Sequence, residues 1–328
     1  MTSTEAQTTG TTTLVTGAMG CLGAWVLRHL VDAGRAVVAF DLSTDRHRPQ
    51  LVMGPDAAEA VTYVQGDLTS FDDVSAAIVD HDVDRIVHLA ALQIPFCRAD
   101  PIRGAEVNVV GTANVLEAAR RQGIGHLAYA SSVAVWGPPD AYPGLAPGQA
   151  PTVRRPATLY GAYKVANEDM AEVYWADHGL SSIGLRPYTV YGPGRDQGLT
   201  SDPTTAMLAA VIGRPAHIAF GGAMQMHLGS DTARQLIAAS DQLDHAGAGS
   251  YDLGGPAVTV SEIIDGITAI RPDAELTADE SPLPFPPEFG NEPLRAVLPE
   301  VFSTPLSAGI EATMAHFEAA LADGRLTP

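Results

Sequence analysis

Lys164 is the only lysine in this 328-residue chain; every other basic side chain that is not histidine is an arginine. It stands four residues after a tyrosine, in Tyr160-Gly161-Ala162-Tyr163-Lys164. On a helix that spacing puts both side chains on one face. A phenol with a pKa near 10 is a poor base at neutral pH, and lowering it by ~3 units requires ~4 kcal/mol. A cation ~4 Å away supplies about that much at an effective dielectric of ~20. Lysine suits this task because it is a compact point charge with three donors for nearby hydroxyls. The alternative is a surface pair on a solvated helix. With nine tyrosines in the chain, a single lysine would have one at this offset by chance about 3% of the time. The pair therefore directs a search for the remainder of an active site.

Something must hold a partner against that pair, and the first half of the chain supplies it. Apolar strand-like runs alternate with helical patterns there, the signature of a parallel sheet covered by helices. Strands are expected at Thr12–Thr16, Ala36–Phe40, Val61–Gln65, Arg85–Leu89, His126–Ala130 and Ser182–Leu185. Helices are expected near Leu22–Ala33, Arg103–Gln122 and around Tyr160. Thr16-Gly17-Ala18-Met19-Gly20-Cys21-Leu22-Gly23 follows the first strand and opens the first helix. Its glycines let backbone N–H groups approach a pyrophosphate, and the helix amino terminus favours that charge. Asp41 closes the second strand, where a carboxylate can accept hydrogen bonds from ribose hydroxyls and repel a 2′-phosphate. NAD is thus expected over NADP, although Arg46 and Arg48 follow closely. Asp67 ends the third strand and reads equally as an adenine contact or a helix cap. His88 reads as structural.

The bulk numbers set limits. Residues are 46% apolar and 17% charged, which fits a globular fold. No apolar run approaches ~18 residues, so no membrane span is expected. Residues 1–11 read as a disordered tail without signal-peptide features. Two cysteines, Cys21 and Cys97, form neither a disulfide framework nor a metal cluster, and a reducing cytoplasm is the expected location. A net charge of −19 argues against nucleic acid or anionic membranes as partners. Three segments rich in proline and glycine, Gly137–Pro156, Gly192–Pro203 and Ser281–Gly290, are expected to frame a substrate.

In this order the motifs resemble those of the extended short-chain dehydrogenase/reductase family, particularly its NAD-dependent epimerase/dehydratase branch. The matching segments are TGAMGCLG at 16–23, GDL at 66–68, HLAA at 88–91, NVVGTANVLEAA at 108–119, SSVAVWG at 131–137, YGAYK at 160–164 and LRPYTVYGPG at 185–194. The resemblance implies an α/β fold: a Rossmann-type doubly wound parallel sheet over 12–187, then a small α/β substrate-binding lobe over 188–328. Segments near 225–255 would return to the first unit. It also implies a homodimer built on two helices per subunit. It places NAD against Gly17, Met19, Gly20, Cys21, Leu22, Gly23, Asp41, Asp67, Leu68, Leu89, Ala90, Ala91, Asn108, Tyr160, Lys164 and Pro187. Tyr160 becomes the general acid/base, Lys164 lowers its pKa and holds the nicotinamide ribose, and Ser132 bonds the reacting oxygen. Such roles agree with the chemistry, since a carbinol that loses hydride needs a proton acceptor and a donor for its oxygen.

Departures from the family narrow the reaction. Dehydrating members carry an Asp-Glu pair where Val133 and Ala134 stand, decarboxylating members use a glutamate at Ala134, and 3,5-epimerising members place a cysteine nearby. What remains is epimerisation through a transient ketone, or net dehydrogenation. A non-catalytic NAD-binding redox sensor is a third reading, weakened because Ser132, Tyr160 and Lys164 are all kept. Thr189 stands where nucleotide-sugar members have asparagine, and Met224 near where they place an arginine on the pyrophosphate. A free sugar, sugar acid or other polyol is therefore a contender beside a nucleotide sugar. Ser132, Val133, Thr189 and Arg195 are the candidate substrate contacts. Trp136 replaces a tyrosine usual in the family and has no reading beyond packing.

Overall fold

The computed structural model describes residues 11–146 and 148–327, so nearly all of the expected amino-terminal tail lies outside the described residues. Twelve strands are present among the described residues: β1 (Thr12–Thr16), β2 (Ala36–Asp41), β3 (Thr62–Gln65), β4 (Arg85–His88), β5 (His126–Ala130), β6 (Ser181–Arg186), β7 (Thr189–Tyr191), β8 (Ala216–Ile218), β9 (Ala223–Leu228), β10 (Ala248–Asp252), β11 (Ala257–Thr259) and β12 (Leu276–Ala278). Seven of them form one sheet in the order β10-β6-β5-β4-β1-β2-β3. Every pairing in it is parallel.

Strands buried on both faces read as unbroken apolar or small runs, and β6 is buried at all six positions. The helices Cys21–Asp32 and Gly229–Ser240 cover one face, where Trp25, Leu27, Leu30, Leu236 and Ala239 form the core. Helices Phe71–Val79, Gly111–Arg121 and Leu159–His178 cover the other, around Ile78, Leu116, Leu127 and Ala171. The strand order reverses between β1 and β4. In such sheets, ligands bind outside the carboxyl ends of the strands at that reversal.

The smaller part holds a three-stranded sheet, β11-β9-β7, and a two-stranded sheet, β12-β8. Its core gathers Trp136, Tyr188, Tyr191, Phe220, Phe285 and Phe289. Of the segment expected to rejoin the large sheet near 225–255, Gly229–Ser240 and β10 do so. Residues up to Leu228 stay in β9 of the small sheet, because they pair with β7 and β11. The expected helix over Arg103–Gln122 is compound: Pro101–Ala105, a π-helical turn at Glu106–Val110, then Gly111–Arg121.

Candidate active site

The Leu159–His178 helix opens on Thr158, whose hydroxyl accepts the Gly161 N–H at 3.0 Å, and closes on Gly179 at φ +68°. These caps fix its register. Tyr160, Lys164 and Glu168 consequently fall on one face. Tyr160 and Lys164 line a cleft of about 690 Å³ along the carboxyl edge of the large sheet. The Lys164 Nζ is buried and donates to the Ala130 carbonyl at 2.6 Å, at the end of β5. Ser132 lies two residues beyond Ala130. Its hydroxyl accepts the Ala134 N–H at 3.1 Å and lies near enough to Tyr160 to favour that phenol's ionised form.

Protonation differs from the expectation. The Tyr160 ring borders the cleft but is packed closely enough that burial pushes its pKa up to about 12, against the lowering by Ser132 and Arg195. Lys164 is not among the groups that lower it. Its Nζ lies 5.7 Å from the Tyr160 ring centre and is committed to a carbonyl. Burial also depresses Lys164, to about 8, opposed by Glu168. Burial thus works against the charged form of both groups in the protein alone.

The dinucleotide end is built from backbone. Gly17 has φ +67°, and a Cβ there would lie 2.7 Å from the Ala90 Cα. Gly23 permits the first turn of the helix to sit on the Gly17 carbonyl. Gly20 caps the Cys21–Asp32 helix without any side-chain hydrogen bond, and no acidic residue stands in the first turn. The N–H groups at that end remain available to an anion. Asp41 lines the cleft with its carboxylate fixed by the Met19 and Ser43 N–H groups, both at 2.9 Å. Arg46 is stacked on Tyr63 at 3.7 Å, and Arg48 is paired with Asp196 at 2.8 Å. Both are engaged elsewhere and offer nothing to a 2′-phosphate. These features fit NAD.

Gly17, Gly20, Cys21, Leu22, Gly23, Asp41, Asp67, Leu68, Leu89, Ala90, Ala91, Ser132, Val133, Pro187 and Arg195 all line the cleft with the pair. Burial raises the Cys21 thiol to about 11. Asp67 is not the helix cap, which is Ser70; it accepts from Thr69 N and Oγ1, pairs with Arg103 at 3.3 Å and lines the cleft.

Three expected contacts lie off the cleft. Met19 contributes only main-chain bonds to Asp41 and Arg48. Asn108 is fully buried in the π-helical turn, where its amide accepts the Leu92 N–H at 2.7 Å and donates to the Leu92 carbonyl at 2.9 Å. It shapes the loop after β4 and touches no open space. Thr189 is fully buried with its hydroxyl unpartnered, while Tyr188 and Val190 on either side line the cleft, as strand alternation requires. Of the three proline- and glycine-rich segments, 192–203 contributes Arg195, Gln197, Leu199 and Thr200, and 281–290 contributes Phe285. No described residue of 137–156 reaches the lining; it binds the third segment instead, with the Gly290 N–H on the Gly148 carbonyl at 2.6 Å.

Sequence reasoning missed Gln93, Arg103, Tyr188 and Phe285 as lining residues, because each arrives from an element whose placement is tertiary. Glu168 had a signal: it stands four residues after Lys164. It accepts from Arg186 at 2.7 Å, Arg154 at 2.9 Å and Ser131 at 2.6 Å. Trp136 stacks on Phe289 and donates its indole N–H to Asp252 at 3.0 Å. His88 is sealed between Thr16 and Thr112 hydroxyls at 2.7 and 3.0 Å.

Among known proteins, the model of the NAD dependent epimerase/dehydratase family matches residues 13–245. A UDP-glucose 4-epimerase from Mycolicibacterium smegmatis is 33% identical over 252 residues, spanning 75% of this chain and 74% of that protein. A UDP-glucose 4-epimerase from Thermus thermophilus, solved with NAD, superposes with a TM-score of 0.76 at 25% identity, over 94% of this chain and 99% of the other. An L-threonine dehydrogenase from Cupriavidus necator reaches a TM-score of 0.79 at 23% identity, over 93% and 99%, a likeness of fold. The chain belongs to the NAD-dependent epimerase/dehydratase family, and its cofactor is NAD.

Proposed function

We propose that the protein oxidises and re-reduces a secondary alcohol of a carbohydrate-like substrate, with epimerisation as the net result. The observation that carries this reading is that Tyr160, Ser132 and Lys164 line the same cleft as the glycine turn. NAD, when bound, supplies the hydride acceptor and donor. Tyr160 takes the O–H proton as the carbinol carbon is oxidised and returns it when the ketone is reduced. Ser132 donates to the same oxygen and steadies its charge. Lys164 holds a positive charge beneath them, and the turn at Gly17–Gly23 with Asp41 holds the dinucleotide. We divide the chain at about residue 188, with the Gly229–Asp252 segment belonging to the NAD-binding unit.

The epimerases among its relatives support the net reaction. Net dehydrogenation is the second reading, since Val133 and Ala134 after Ser132 cannot exchange protons and leave only these two outcomes of the hydride step. The two separate at 340 nm. An epimerase converts substrate with no net NADH, whereas NADH rising in proportion to substrate removes the epimerase reading. A mere NAD sensor would give neither.

We further place the protein in the cytoplasm as a homodimer. Ile102, Val110, Leu159 and Val173 are exposed apolar residues on two adjoining helical segments, which supports self-association. Both cysteines are unpaired. No described helix is long and apolar enough to cross a membrane.

A further inference from the structure

The two ends of the cleft differ in charge. Its dinucleotide end carries Asp41 and Asp67. Near Tyr160 one guanidinium lines the cleft, that of Arg195, whose charge also reaches Cys21 in the glycine turn. Acidic residues outnumber Lys and Arg 38 to 19, yet Arg195 pairs with none of the described ones. Its neighbour Asp196 is taken by Arg48. Arg195 Nη2 donates to Thr200 Oγ1 at 3.2 Å, while Nε is sealed from solvent without a partner. Gln93 Oε1 is a second sealed, unpartnered atom in the lining, and both side chains flank Gly198 at φ +106°. Unsatisfied buried polar atoms are costly and uncommon. Sealed atoms are beyond a ligand's reach, so what the cleft offers an anion is the outer edge of the Arg195 guanidinium, which makes only the Thr200 bond among the described residues.

The wall beyond is closed. Tyr188 and Phe285 meet edge to face at 5.9 Å, backed by Phe289 and Trp136. Residues 201–284 contribute nothing to the lining. Met224 is fully buried in β9, so among the described residues no second cation stands there to receive a diphosphate. Arg195 also lies near enough to Tyr160 to favour its ionised form, which puts any anion it holds within a few carbons of the reacting hydroxyl.

We infer that the substrate is a small polyhydroxylated carboxylate without an attached nucleotide, its carboxylate gripped by the outer edge of the Arg195 guanidinium. A guanidinium binds a carboxylate through two parallel N–H donors, a fit that lysine lacks. The inference rests on the hydride chemistry proposed at Tyr160 and specifies its substrate.

The test presents the full-length protein and NAD with three sets at equal concentration: D-gluconate, D-glucuronate and D-galacturonate; the neutral aldoses; and UDP-linked glucose and glucuronic acid. Turnover is read by product analysis and at 340 nm. The expected result is turnover of the acid set, with Arg195→Met raising KM by about 10- to 150-fold, more than it lowers kcat. Arg195→Lys should recover only part of the loss, and NAD affinity should fall by less than KM rises. Preferential turnover of UDP-linked or neutral sugars, insensitive to Arg195→Met, overturns the inference while leaving the hydride chemistry intact. If no set turns over, calorimetry of D-galacturonate and D-gluconate with the NADH-loaded protein decides. Heat that vanishes in Arg195→Met supports the carboxylate site, and no Arg195-dependent heat overturns it. Turnover that survives Tyr160→Phe overturns the hydride reading instead.

Discussion

At the residue scale, the Tyr160–Lys164 spacing was legible because helical periodicity alone fixes it. Their titration was not, because desolvation depends on walls contributed by other elements. Lys164 is held in its charged form at a cost: burial lowers it from 10.5 to about 8, equivalent to ~3 kcal/mol. Replacing it by Met removes that cost but leaves the Ala130 carbonyl unbonded, at ~1–3 kcal/mol. Lys164→Met should therefore be inactive yet as stable as the parent at pH 7, or more stable by up to about 2 kcal/mol. Between about pH 8 and 10.5 the unfolded chain binds the proton that the folded one has lost, so the parent gains on the variant as pH rises. Denaturant melts of both proteins at pH 7 and 10 measure this, and a gap that widens with pH would contradict it. Asp41 was legible from its place at a strand end. Asp41→Ala should weaken NAD more than NADP, by about tenfold or more for a lost charge-assisted bond, in fluorescence titrations of both. The reverse ranking would remove Asp41 from the ribose.

At the element scale, the Leu159–His178 helix carries the chemistry on one face and a buried ion cluster further along it. Glu168 has no exposed side-chain surface and joins Arg154 and Arg186, with Ser131 from the end of β5. The cluster ties helix, β5 and β6 together directly beneath Ser132. Removing one member of such a group leaves charges unpaired, so Glu168→Gln should cost about 3–5 kcal/mol in chemical denaturation. A loss below about 1 kcal/mol, the range of an exposed pair, would show that Arg154 and Arg186 find other partners. Strands and caps of this region were readable from local patterns. The π-helical turn was not, since it forms around Asn108 and its bonds to the Leu92 main chain, a contact sixteen residues away. Asn108, which the resemblance places near the cofactor and which reads equally as helix-stabilising, and the described residues of 137–156 do not line the cleft, and each bonds a neighbouring loop.

At the scale of the whole molecule, the alternation of strands and helices made the parallel sheet foreseeable, and the reversal between β1 and β4 follows from right-handed crossovers. The small lobe was foreseen only in outline. Its short strands carry weak periodicity, and its aromatic core draws residues from Trp136 to Phe317. Ile102 is 74% exposed and Val173 56% exposed, more than a helix face gains by meeting water. Equilibrium sedimentation should give a dimer, and Val173→Arg with Ile102→Glu should give a folded monomer with the parent's circular dichroism. An unchanged mass would remove this surface from the interface.

In the function we propose, turnover depends most on a proton moving through one phenol. Single-turnover kinetics of Tyr160→Phe, following bound NAD at 340 nm after substrate is mixed in, test that directly. The predicted result is a hydride-transfer rate lower by about 10²–10⁴-fold with NAD affinity within about twofold of the parent. A rate equal to the parent's would contradict that role for Tyr160.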